Sequence, residues 1–178
     1  LHELDFESLV DPLNAAEDKD QVGPEEAEVL PWSEAVADHE DLLQEHFGSI
    51  VDPQENYLTA LSTALFSTGT VIYVPEGVDA EDVTIRTEQN SRSLFNYTLV
   101  VTEESSSVTI LERQSTGEEA AEQYYSGVVE VAAGENSYVQ YGSLQNLSED
   151  AYNFTVKRGV ADTYATIDWI EGNLGTQL

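Results

Sequence analysis

The sequence predicts a mainly β chain preceded by short N-terminal helices, and three observations carry that prediction. Apolar, β-rich cores recur from Val71 to Ile167 at nearly even spacing. No segment of helical period interrupts them. Ahead of them, Tyr57 to Val78 reads as a small-residue helix that stops by Gly69 and turns at once into a β-branched strand closed by Pro75 and Gly77.

Residues 1–31 are acidic and broken by Pro12, Gly23, Pro24 and Pro31, which predicts a short helical or irregular arm. Ser33 is expected to cap a helix running to about His46, with Glu34 in its first turn and Gly48 beyond its end. Val36, Leu42, Leu43 and Phe47 give that helix a partly apolar face. Asp52 or Asn56 then precedes a helix over Tyr57–Phe66, where Leu58, Leu61 and Leu65 recur with Ala60 and Ala64 between them. Thr70 to Val74 favours strand, and Pro75 removes a ladder donor. This divides the chain into an acidic helical or irregular segment, 1–55, and a β core, 56–178, with the helix of 57–66 laid over the start of the core.

The strand cores fall near Val71, Ile85, Leu99, Ile110, Val129, Val139, Phe154 and Ile167, with gaps of about 14, 14, 11, 19, 10, 15 and 13 residues. Turns are expected at Pro75-Glu76-Gly77, at Ala133 to Asn136 and at Arg158-Gly159. An antiparallel sandwich and a solenoid with two strands per coil fit this spacing equally well. Apolar or small residues on both faces of VVEVAA and TLVV are compatible with a coil around a filled interior.

Charge is the anomaly in the composition. Thirty-five acidic residues face six basic ones, a formal net charge of -29. Such a chain repels itself in dilute salt, whereas at 1 M salt the Debye length falls to about 3 Å. Acids scattered through every loop, with almost no lysine, therefore read as adaptation to a very salty cytosol. The chain has no cysteine and no methionine, so it offers neither disulfides nor a thiol nucleophile. Starting at Leu1 without Met, it reads as a trimmed piece of a longer protein. No apolar run approaches the roughly 20 residues that cross a bilayer, and no signal-peptide pattern opens it. A surface this acidic argues against nucleic-acid binding.

The run from Leu61 to Val78, LSTALFSTGTVIYVPEGV, resembles the start of the core domain of the SufB/SufD family of iron–sulfur assembly scaffolds, departing from its pattern at Ser62, where Asn is usual. The resemblance continues through Leu99–Glu104, Val108–Glu112, Glu130–Tyr141, Leu144–Asn146 and Phe154–Gly159, covering roughly residues 55 to 175. It implies a right-handed parallel β-helix (a solenoid) with helical segments at its ends. It also implies a SufB-like sister subunit and a SufC-type ABC ATPase as partners, and an Fe–S cluster built in the full complex. SufB-like members carry a cysteine about where Gln114 stands, and a tryptophan where Leu147 stands; both departures point to a SufD-like subunit. The family's cluster-site Cys and His and its ATPase-docking helices lie beyond the matched region. The resemblance thus implies no cofactor within this chain, no catalytic residue, and a core truncated at its C-terminal end. An open coil end after Ile170 is expected to invite self-association.

By the same resemblance, Gln145 and Lys157 match SufB-like positions lining an interior path proposed for sulfur transfer. An inward lysine is costly unless paired, so Lys157 would imply a functional lumen if it faced inward. The plainer readings put Lys157 and Arg158 at a strand end among acids, and make Gln145 and Asn146 stacked amides between coils. His2, His39 and His46 sit among acids and read as solvated surface residues rather than metal ligands. Other classes are a stand-alone acidic binding module and a polysaccharide-acting β-helix enzyme; the latter needs two carboxylates in one apolar cleft, and the sequence offers no such pair.

Overall fold

A computed structural model describes residues 18–24, 26–117 and 123–176. Eight strands wind as four two-stranded coils: β3 (Thr68–Val74) with β4 (Asp79–Gln89), β5 (Ser93–Thr102) with β6 (Ser107–Thr116), β7 (Gln123–Ala133) with β8 (Tyr138–Asn146), and β9 (Ala151–Ala161) with β10 (Thr166–Asn173). Odd-numbered strands stack in parallel as one sheet and even-numbered strands as the other. The solenoid implied by the resemblance is what forms, and the antiparallel sandwich is not. Each expected strand core, from Val71 in β3 to Ile167 in β10, lies in its own strand.

Registers make the repeat explicit. Val71 pairs with Leu99, Leu99 with Glu130, and Glu130 with Arg158, so successive coils advance by 28, 31 and 28 residues. Every turn from an odd to an even strand is four residues long: 75–78, 103–106, 134–137 and 162–165. The third residue of each has positive φ: Gly77 (71°), Ser105 (57°), Asn136 (58°) and Tyr164 (59°). That is where a type II turn needs the left-handed region. The corners stack too, with the N–H groups of Gly77, Ser105 and Asn136 donating to the carbonyls of Glu104, Glu135 and Thr163 in the next coil. The turn expected at Arg158-Gly159 does not exist: both residues lie within β9, and the corner comes three residues later at Asp162.

The arm departs from its expected irregular form where it is described. β1 (Asp18–Val22) lies antiparallel along β4, and β2 (Glu28–Pro31) antiparallel along β3. Short strands won over Gly23 and Pro24 because the first coil offers two open ladders to pair with. The helix expected from Ser33 to His46 is two: α1 (Trp32–Asp38) and α2 (Glu40–His46), broken at His39, whose φ of -132° is non-helical. Pro31, not Ser33, occupies the N-cap. α3 (Tyr57–Leu65) has the Asn56 side chain as its cap, accepting from Thr59 N at 3.0 Å. It packs on β5 and β7, so it covers the second and third coils rather than the start of the core.

The three helices among the described residues lie against the odd-strand sheet, which explains why β5 is buried at every position and β7 at all but one. Trp32, Phe47, Phe66 and Tyr97 form an aromatic cluster there, with ring centroids 4.9–5.9 Å apart. Glu130, fully buried in β7, receives the N–H groups of Gly48 (2.9 Å), Ile50 (2.9 Å) and Val51 (2.6 Å). This carboxylate ties the loop after α2 to the sheet.

Candidate functional site

Strand alternation sends every second residue inward, and the two halves of the interior differ in character. Near the stacked corners it is apolar: Ile72, Val100 and Val131 of one sheet pack with Val83, Ile110, Val139 and Tyr141 of the other. Toward the opposite end of the strands the inward rows become polar. One row along the even sheet is Ile85, Glu112, Ser143, Glu171, and the next is Thr87, Gln114, Gln145, Asn173. Facing them, Thr70, Thr98, Val129 and Lys157 run along the odd sheet.

At the last coil this polar half opens into a cavity of about 540 Å³ that includes both sequence-predicted residues, Gln145 and Lys157, together with Gln114, Trp169, Glu171 and Asn173. Lys157 is therefore an inward residue in the middle of β9, not one at a strand end. Its Nζ donates to both carboxylate oxygens of Glu171 at 3.1 Å and stands 3.5 Å from Glu112 Oε2. It also lies 5.4 Å from the centre of the Tyr141 ring. Arg158, the next residue, faces outward and pairs with Glu55 through both terminal nitrogens.

Glu112 is the residue that sequence reasoning missed. It is fully buried, and its Oε2 accepts from Tyr141 Oη (3.0 Å) and Ser143 Oγ (3.4 Å). Its Oε1 has no hydrogen-bond partner among the described residues. Lys157 supplies the compensating charge without which a buried carboxylate is strongly unfavourable. Burial, reinforced by Glu112, pushes the Tyr141 hydroxyl well above its ordinary pKa, so it is a donor at any physiological pH.

Gln145 does not form the expected amide stack. Its Nε2 donates to the Gly175 carbonyl and its Oε1 accepts from Gly175 N at 3.4 Å, fastening the chain after β10 across the cavity. Asn146 points to the outer face. Gln114 shares the cavity with Gln145 one strand away. Leu147 instead sits in a small buried cluster with Leu94, Tyr125 and Ala151. His39 pairs with Glu28 at 2.7 Å, His2 lies outside the described residues, and no cluster of three metal-ligating side chains occurs among the described residues. Nor is any described helix long and apolar enough to cross a membrane. The lumen thus offers one ammonium, two carboxylates and a set of amides and hydroxyls, suited to holding a small polar group by hydrogen bonds.

A family model described as the SufBD core domain of the SUF system for FeS cluster assembly matches residues 84–178, and one described as the SufBD protein N-terminal region matches residues 9–87. The chain is 33% identical over 147 residues to the iron–sulfur cluster assembly protein SufB of Bacillus subtilis, covering 81% of this chain and 32% of that protein. Iron–sulfur cluster assembly SufBD family proteins of Staphylococcus epidermidis and Staphylococcus haemolyticus are each 30% identical with the same coverage. The chain spans about a third (32%) of the length of these curated relatives.

Proposed function

The chain belongs to the SufB/SufD family of iron–sulfur cluster assembly proteins, and on that premise we propose that it is part of a scaffold subunit of a cytoplasmic cluster assembly complex. In this reading it pairs with a SufB-like sister and a SufC-type ATPase, while iron and sulfur are the cargo and the chain itself turns nothing over. The observation that carries the reading is the family match over consecutive N-terminal and core regions, from residue 9 to residue 178. A rigid parallel stack with short identical corners is a fitting frame for partners that do the chemistry.

Within the family, Gln114 and Leu147 favour a SufD-like member. An amide at position 114 has no sulfur to accept a transfer, and Leu147 is packed away from the cavity. The Bacillus subtilis relative carries the name SufB, so the SufD-like assignment rests on these two positions alone. Gln145 and Lys157 border one cavity, which supports an interior path for a small polar or sulfur-bearing group.

Co-purification tests the assignment. The whole protein carrying this chain, expressed with a tag in its own host, is expected to bring down an ABC-type ATPase and a second SufB/SufD-family chain in stoichiometric amounts. Recovery of the tagged protein alone would overturn the scaffold role, and turnover of a polysaccharide by it would favour the enzyme class instead.

A further inference from the structure

Lys157 is held by two carboxylates that differ in how firmly they are themselves held. Glu112 is fully buried and also accepts from Tyr141 and Ser143, so β8 fixes it in place. Glu171 of β10 has Lys157 as its only partner among the described residues, and its side chain is 37% exposed. It also borders the cavity of about 540 Å³, whereas Glu112 lies behind Ser143 and Lys157. Both Glu171 oxygens stand 3.1 Å from Nζ, so a loosely held carboxylate covers the cavity side of the ammonium.

Charge decides what can take its place. A cation would meet the Lys157 ammonium, and a neutral acceptor makes a weaker bond to it than a carboxylate does. A small anion offers an equivalent charge-assisted acceptor. The exchange is like for like: one anion enters as the Glu171 carboxylate turns to water, and the buried Lys157–Glu112 pair stays intact. The amides of Gln114 and Asn173 border the same cavity and add N–H donors.

We propose that Glu171 is a placeholder: it occupies on Lys157 the position of a small monovalent anion of the hydrosulfide type, and is displaced when that anion enters. The proposal rests on the reading of the lumen as an interior path for a sulfur-bearing group. A tethered competitor lowers the apparent affinity by the fraction of time that it covers the site. Glu171 thus sets the threshold at which the lumen accepts its ligand.

The test uses the full chain labelled with fluorotryptophan and followed by fluorine NMR. Its two tryptophans are Trp32, in the aromatic cluster beneath the helices, and Trp169, which borders the cavity. Sodium hydrosulfide replaces chloride stepwise at constant ionic strength and mildly alkaline pH. The Trp169 resonance is expected to move saturably while that of Trp32 stays. Glu171→Gln should tighten the midpoint at least about tenfold. Lys157→Met combined with Glu112→Gln, which removes the ammonium without stranding a buried charge, should abolish the shift. Acetamide, a neutral probe, should gain nothing from Glu171→Gln. An unchanged or weaker hydrosulfide midpoint in Glu171→Gln, or an equal gain for acetamide, overturns the placeholder and leaves the interior path standing. Absence of any Trp169 shift, or a shift that survives loss of Lys157, overturns both. Glu171→Asp, one methylene shorter, should give the same tightening and decides if Glu171→Gln does not fold by circular dichroism.

Discussion

The Tyr97 hydroxyl in β5 donates to Glu130 Oε2 in β7 at 2.6 Å, with both side chains fully buried beneath the helices. Together with three backbone donors from residues 48–51, it satisfies a carboxylate that would otherwise be an isolated charge. Glu130→Ala would leave the Tyr97 hydroxyl and the N–H groups of Ile50 and Val51 without an acceptor, while Gly48 N keeps only its 3.2 Å bond to Tyr97 Oη. We expect a loss of about 3 kcal/mol in denaturant unfolding, with faster proteolysis around residues 47–51. A change below about 1 kcal/mol would show that water replaces the carboxylate.

Alkaline stability follows from the same hydroxyls. Burial and neighbouring carboxylates raise Tyr97 (beside Glu130) and Tyr141 (beside Glu112) above the ordinary value of 10.0. Above the unfolded pKa the unfolded state releases protons that the folded state still holds, so stability is full below about pH 10 and falls as pH rises beyond it. Absorbance titration of phenolate should show at least these two tyrosines, and the buried Tyr124 whose hydroxyl pKa is raised by burial, ionising only with global unfolding. Reversible ionisation of every tyrosine in the folded protein would contradict this.

Lys157 and Glu112 should be energetically coupled. Lys157→Met leaves Glu112 buried without its counter-charge and is expected to cost about 3 kcal/mol or more. Glu112→Gln in the same chain should recover a large part of that loss, giving a coupling energy above about 1 kcal/mol in a double-mutant cycle. Additive losses would mean that the two groups are solvated independently.

Tyr164 occupies the left-handed corner position that Gly77 fills in the first coil, and it is 84% exposed. A left-handed backbone costs a side-chain-bearing residue roughly 1–2 kcal/mol. Tyr164→Gly is therefore expected to raise stability by about 1 kcal/mol, read as a higher denaturation midpoint with unchanged slope. A lower midpoint would show that the tyrosine makes compensating contacts.

Salt dependence provides the test of the halophilic reading. With a net charge of -29, the chain should lose β signal in circular dichroism on dialysis into dilute buffer and regain it when salt is restored. An unchanged spectrum in water would refute it.

Much of the fold was legible in the sequence because each coil strand carries its own apolar, β-rich core and each coil repeats it, so Val71 to Ile167 mark the eight strands of the coils but not β1 and β2 of the arm. Strand direction was not legible, since period-2 alternation is the same in parallel and antiparallel sheets; the family resemblance decided it. Register was partly readable. In Val108-Thr-Ile-Leu-Glu, Val108 and Ile110 set the inward phase, and that phase places Glu112 and Gln114 inside. Likewise Glu130 sits within an otherwise apolar run, a sign of a buried and satisfied carboxylate. What the alternation does not specify is which inward residues of different coils meet, and so the approach of Glu171 to Lys157 across the lumen emerges only in three dimensions. The break at His39 was hidden for a similar reason: His39 bonds to Glu28 of β2, a partner eleven residues away that no local helix rule includes.

The two reversed strands of the arm give the coil stack a polarity. β1 and β2 occupy the outer ladders of β4 and β3, so the first coil is stoppered on both sheets. Further parallel coils continue the stack beside β9 and β10, whereas β1 and β2 present reversed strands at the other edge. Growth of such a rod, whether by lengthening the gene or by adding designed repeats, is thereby a one-way process. Inserting a complete coil of about 28 residues at the far end should be tolerated, whereas the same insertion between the arm and β3 would separate the stopper from the edges it seals.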